Sequence, residues 1–127
     1  MSEREPEDLT ILLVEDYEDA SLAMRLALEH QGYRILEASD GEQAVAVATR
    51  ERPDIILMDL QLPVLDGLAA TRQIRAVPEL KDAVIVAVTA HNEGDYRAQA
   101  LAAGCNAFVS KPIDFNWLKD LLPNLLP

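Results

Sequence analysis

Five short apolar runs, each followed by a stretch with helical spacing, constrain this chain more than any other feature. They are "LTILLV" (9–14), "YRILEA" (33–38), "DIILMD" (54–59), "AVIVAV" (83–88) and "NAFVS" (106–110). Runs of this length, continuous rather than alternating, are the mark of strands buried on both faces. Between them the spacing predicts helices. Residues 19–31 carry Leu22, Ala23, Leu26 and Ala27 and stop at Gly32. "SDGE" (39–42) matches a capping box of Ser39 with Glu42 and opens a helix that ends before Pro53. Asp66 can cap a helix ending before Pro78, and a helix within 92–103 ends at Gly104. Asp114 can cap a last helix to about Leu122, where Pro123 should stop it.

Strands alternating with helices predict an α/β fold: a parallel sheet covered on both faces. With right-handed crossovers this is a doubly wound, five-stranded sandwich of flavodoxin-like (βα)5 form, strand order 2-1-3-4-5. At 127 residues there is room for one domain, expected over 9–122, with an acidic disordered tail at 1–8 and a short C-terminal tail at 123–127. A formal charge of −11 speaks against binding to nucleic-acid phosphates. No apolar run approaches the roughly 20 residues of a membrane span. The polar start "MSEREPED" is no signal peptide. Cys105 is the only cysteine, so neither an internal disulfide nor a cysteine metal cluster is expected. These features together predict a cytoplasmic protein.

Placed on that frame, the polar residues that interrupt the pattern converge. Glu15 and Asp16 follow strand one, Asp59 ends strand three, Thr89 follows strand four and Lys111 follows strand five. All lie at carboxyl ends of strands, where open α/β sheets bind ligands, next to the switch point between strands one and three. Three converging carboxylates repel one another unless a proton or a cation joins them. An all-oxygen donor set with room for water suits Mg²⁺. An ammonium and a hydroxyl around one carboxylate add donors for phosphoryl oxygens. Asp59 is then placed as a nucleophile able to form an aspartyl phosphate.

The pieces "LLVED" (12–16), "ILMDLQLPVLDG" (56–67), "VTA" (88–90) and "FVSKPI" (108–113) together resemble the receiver domain of bacterial two-component response regulators, with the CheY-like fold. The resemblance runs from Leu9 to Leu122. It implies that Asp59 accepts a phosphoryl group from a histidine kinase or histidine phosphotransfer protein. It implies further that Glu15, Asp16, Asp59 and the backbone carbonyl of Gln61 bind Mg²⁺, and that Thr89 and Lys111 contact the phosphoryl group. Thr89 and Phe108 would form the switch, and Gln61 and His91 would tune the lifetime of the phosphoryl group. The peptide bond between Lys111 and Pro112 is expected to be cis. Two residues depart from the common pattern: Glu15 stands where many members have aspartate, and Phe108 where tyrosine is frequent.

Two other chemistries share the frame. A flavodoxin-like nucleotide binder needs a small-residue phosphate loop after strand one, where this chain has "VEDYED". An aspartyl-phosphate phosphohydrolase needs Asp-x-Asp, where residues 59–61 read Asp-Leu-Gln. Catalysis beyond the chain's own phosphorylation and dephosphorylation is therefore not expected. A stand-alone regulator acting on a downstream target protein is the first reading, and the receiver part of a hybrid kinase or longer regulator the second. Phe115, Trp117, Leu118, Leu121 and Leu125 give the last helix more apolar residues than one stripe needs. They mark the helix 4–strand 5–helix 5 face as the contact surface for a partner, a homodimer being preferred.

Overall fold

The computed structural model describes residues 5–90, 94–111 and 113–126. Its strands are β1 (Thr10–Val14), β2 (Arg34–Ala38), β3 (Ile55–Asp59), β4 (Val84–Thr89) and β5 (Ala107–Ser110). The helices are α1 (Glu18–His30), α2 (Gly41–Glu51), α3 (Gly67–Arg75), α4 (Gly94–Ala103) and α5 (Phe115–Leu125). All strand pairs are parallel and the order is β2-β1-β3-β4-β5, as expected.

Strand geometry splits the core in two, because successive side chains point to opposite faces. Ile11, Leu13, Ile55, Leu57, Val84, Val86 and Val88 meet Met24 and Leu28 of α1 and Leu118 and Leu122 of α5. Leu12, Val14, Ile56, Met58, Ile85 and Ala87 meet Ala44 and Ala48 of α2, Ala70 and Ile74 of α3 and Ala100 of α4. The central strands β1, β3 and β4 are almost wholly buried, whereas edge strand β2 exposes Arg34 and Glu37. Charge on an edge hinders pairing with a further strand.

Three expectations are corrected. The buried stripe of α1 is Met24 and Leu28, while Leu22 and Leu26 are 45% and 54% exposed. The helix carries two apolar rows in phase with its turn, and contact with the sheet selects the one that reaches β1 and β3. The cap of α2 is Asp40, whose carboxylate accepts from Gln43 N at 2.8 Å; the Ser39 hydroxyl instead donates to Gln43 Oε1. Pro123 does not stop α5, which continues to Leu125. Proline removes one donor, but here only in the last turn. Leu121, Leu125 and Leu126 pack beside the core there, and Asn124 Nδ2 donates to the Asp120 carbonyl at 2.9 Å. At the other end, Pro6–Asp8 form a 3-10 turn and Leu9 is buried. No helix among the described residues is long and apolar enough to cross a membrane.

Candidate functional site

The carboxyl ends of β1 and β3 lie side by side, Val14 opposite Met58. The residues that follow therefore open into one hollow. Glu15 and Asp59 are each 5% exposed, and Asp16 is exposed. One oxygen from each of these three carboxylates lies within 4.8 Å of the others.

Lys111 enters from beyond β5. Its Nζ donates to Asp59 Oδ2 at 3.0 Å and to Glu15 Oε2 at 3.0 Å. The remaining oxygens are also engaged: Gln61 N donates to Asp59 Oδ1 at 2.9 Å, and Tyr17 N to Glu15 Oε1 at 3.4 Å. Burial, then the hydrogen bond and charge of Asp59, push the Glu15 carboxyl above its usual range against the pull of Lys111. Burial alone would lower Lys111, but its hydrogen bonds to Asp59 and Glu15 and their charges outweigh it and hold the ammonium above its usual range. Three carboxylates against one ammonium leave an excess of negative charge in a half-closed hollow. The donors are all oxygens and one acid is open to water, so the residues fit Mg²⁺.

Thr89 ends β4 and is buried; its carbonyl accepts from Lys111 N at 2.8 Å, which ties β5's exit to the site. Pairing of Asp59 with Val88 sets Thr89 one residue beyond the level of Asp59. Phe108 lies half-buried against the α2–α3–α4 face of the core. Gln61 is exposed. His91 and Pro112 lie outside the described residues, and so do their expected roles, the tuning of lifetime and the cis bond. The last helix spends most of its apolar side chains on the core: Leu118 is 1% exposed, and Leu121 and Leu125 pack beside it. That corrects the assignment of Leu118 to a partner surface, since a buried side chain has nothing to offer a partner. Trp117 stays 48% exposed, and the side chain of Phe115 lies outside the described residues.

Two features were missed from sequence. The first is the direct contact of Glu15 with Lys111, 96 residues apart: the sequence brings both to one end of the sheet but does not pair them. The second is the loop after Asp59. Gly67 N donates to Leu60 O at 3.1 Å, and a methyl group at Gly67 would collide with the Asp59 carbonyl. A methyl group at Gly41 would likewise collide with the Leu65 carbonyl. The "DG" at 66–67 is the signal that could have revealed the first of these close approaches.

Residues 11–122 match the profile of the response regulator receiver domain. The chain is 36% identical over 104 residues to the polar-differentiation response regulator DivK of Brucella anthropi, covering 82% of this chain and 85% of that one. It is 27% identical over 117 residues to sporulation initiation phosphotransferase F of Bacillus subtilis, covering 92% and 93%. Among solved structures, the receiver domain of a sensor histidine kinase from Pseudomonas aeruginosa PAO1, with magnesium coordinated in its active-site cleft, superposes with a TM-score of 0.86. Its sequence is 41% identical, and the match covers 92% of this chain and 96% of that one. The chemotaxis protein CheY4 of Vibrio cholerae superposes with a TM-score of 0.88 at 25% identity, over 93% and 98%.

Proposed function

The chain belongs to the response regulator receiver domain family, and from that premise we propose how its own residues work a phosphorylation-dependent signalling switch. The observation that carries the reading is the Asp59 carboxylate, buried at a strand end, bridged by Lys111 to Glu15 and flanked by Asp16.

Asp59 is the phosphoacceptor. An oxygen of its carboxylate attacks the phosphorus of a phosphohistidine on a histidine kinase or phosphotransfer protein. The oxygen–phosphorus bond forms as the phosphorus–nitrogen bond breaks, and the electron pair returns to the imidazole. Mg²⁺, when bound by Glu15, Asp16, Asp59 and the Gln61 carbonyl, supplies charge neutralisation for the phosphoryl oxygens. Lys111 turns its ammonium from the carboxylates to a phosphoryl oxygen, and the Thr89 hydroxyl donates to another. Thr89 and Phe108 then shift together, and the face built from α4, β5 and α5 changes shape for a downstream target protein. Trp117, 48% exposed, is an apolar contact that α5 offers on this face, and a second copy of the chain is one occupant it can take. Gln61 and His91, each two residues beyond a phosphoryl contact, govern the approach of water. The only reactions the chain catalyses are its own phosphorylation and dephosphorylation, carried out in the cytoplasm. The likeness to a kinase's receiver domain supports a second reading, in which these same steps serve a longer histidine kinase.

Acetyl phosphate tests the assignment. Mass spectrometry should find one added phosphoryl group in the presence of Mg²⁺, none after chelation and none in Asp59→Asn. Label carried by another residue would remove Asp59 from this role, and label formed without Mg²⁺ would remove the ion from it.

A further inference from the structure

We propose that the cleft between the C-terminal ends of α1 and α5 binds an adenine mononucleotide. It lies at the end of the sheet away from Asp59, so the phosphoacceptor site takes no part in it.

The cleft has a volume of about 350 Å³ and is lined by Pro6, His30, Gln31, Tyr33, Lys119 and Pro123. That lies within the range of small-molecule sites, roughly 300–1,000 Å³. Local sequence builds it. α1 ends at His30, and Gly32 turns the chain toward β2 at a φ of 106°. A methyl group at Gly32 would lie 3.3 Å from Pro6 Cβ, so the 3-10 turn of Pro6–Asp8 is packed close against this bend. Tyr33 follows, 4% exposed, and belongs both to the core and to the cleft wall. Lys119 and Pro123 stand four residues apart on α5 and so share a face.

Two acceptors here lack their usual donors. Gln31 Oε1 is buried and has no hydrogen-bond partner among the described residues. Pro123 has no N–H to give the Lys119 carbonyl four residues earlier. A buried acceptor without a donor is costly, so a ligand that brings N–H groups gains by supplying one. The terminal torsion of a glutamine is soft, and the Gln31 amide can turn to meet it.

The charge of the lining selects the rest of the ligand. Acids outnumber Lys and Arg by 22 to 11 in the chain, yet the cleft is lined by one lysine, one histidine and no acid. A planar heterocycle with an amino edge and an anionic tail uses every one of these residues. Adenine has that edge: a glutamine amide accepts from its N6 amino group and donates to its N7. The ring packs against Tyr33, Pro6 and Pro123. The phosphate meets the Lys119 ammonium, with His30 beside it. The C-terminal ends of two helices oppose the phosphate, which leaves the base to supply most of the affinity.

Calorimetric titration of the whole chain with AMP, adenosine, GMP and inorganic phosphate tests this, on wild type, Gln31→Leu and Lys119→Ala, with Gln31→Ala in place of Gln31→Leu should that protein not fold. AMP should saturate one site at millimolar concentration. GMP presents a carbonyl oxygen where adenine presents its amino group, and should bind about tenfold more weakly. Gln31→Leu should weaken AMP and adenosine alike, by about tenfold. Lys119→Ala should weaken AMP about threefold and leave adenosine unchanged. Failure of AMP to saturate, equal binding of AMP and GMP, or full AMP affinity in either variant would overturn the proposal. Inorganic phosphate bound as tightly as AMP would overturn it as well, since the base would then contribute nothing.

Discussion

Val64 shows how tightly single residues are held around Asp59. Its φ is 69°, in the left-handed region that a β-branched side chain rarely enters, and Leu65 N donates to Pro63 O at 2.7 Å across it. This is a three-residue γ-turn, a rare and strained form when its central φ is positive. The turn cannot relax, because the carbonyls of Leu65 and Asp59 on either side of it are packed against Gly41 and Gly67. The Val64 side chain is 74% exposed, so the fold gains little from it. Glycine at this position would relieve roughly 1–2 kcal/mol of steric cost. It would lose roughly 0.5–1 kcal/mol to the greater freedom of the unfolded chain. Val64→Gly should therefore raise unfolding stability modestly, by up to about 1.5 kcal/mol, in urea titration. A loss of stability would show that the turn is not strained in solution.

Among the elements, one clamp keeps β4 and β5 in step at the edge of the sheet opposite the site. Arg75, at the end of α3, donates to Gly104 O at 2.9 Å, Leu80 O at 3.1 Å, Lys81 O at 3.3 Å and Asn106 Oδ1 at 2.7 Å. Asn106 Oδ1 also accepts from Ile85 N at 2.8 Å. One guanidinium thus joins α3, the turn before β4 and the entry to β5. Arg75→Met should destabilise the fold by about 2–4 kcal/mol, since hydrogen bonds to charged groups and buried acceptors are lost together. Arg75→Lys should recover little of this, because a compact ammonium cannot fork among these acceptors. Chemical denaturation of the three proteins measures both, and full stability in Arg75→Lys would reduce the clamp to a simple charge.

At the scale of the molecule, the site draws stability away from the fold. A chain of formal charge −11 gathers three acids around one ammonium, and the excess charge opposes folding. Asp59→Asn leaves Lys111 paired with Glu15 and removes one negative charge. Without metal it should melt higher than wild type, by the equivalent of about 1 kcal/mol. Mg²⁺ stabilises the native state by mass action, and this increment should be smaller in the variant. Thermal melts with and without Mg²⁺ give both quantities; an equal Mg²⁺ increment in the two proteins would show that Asp59 takes no part in binding the ion.

The sequence by itself determined the layers, the strand order and the edge of the sheet on which function sits. Continuous apolar runs leave a strand no solvent face, so parallel pairing beneath helices was the arrangement open to it. Acids placed at the ends of "LTILLV" and "DIILMD" could only meet, once β1 and β3 were neighbours. What tertiary structure alone decided are choices between near-equal local options. Leu22 with Leu26 and Met24 with Leu28 are equally good rows on α1, and the sheet accepts only one of them. Pro123 is a local stop signal, overruled because Leu121, Leu125 and Leu126 pack beside the core beyond it. The partner of Glu15 lies 96 residues away across two intervening strands, and no local pattern encodes such a reach.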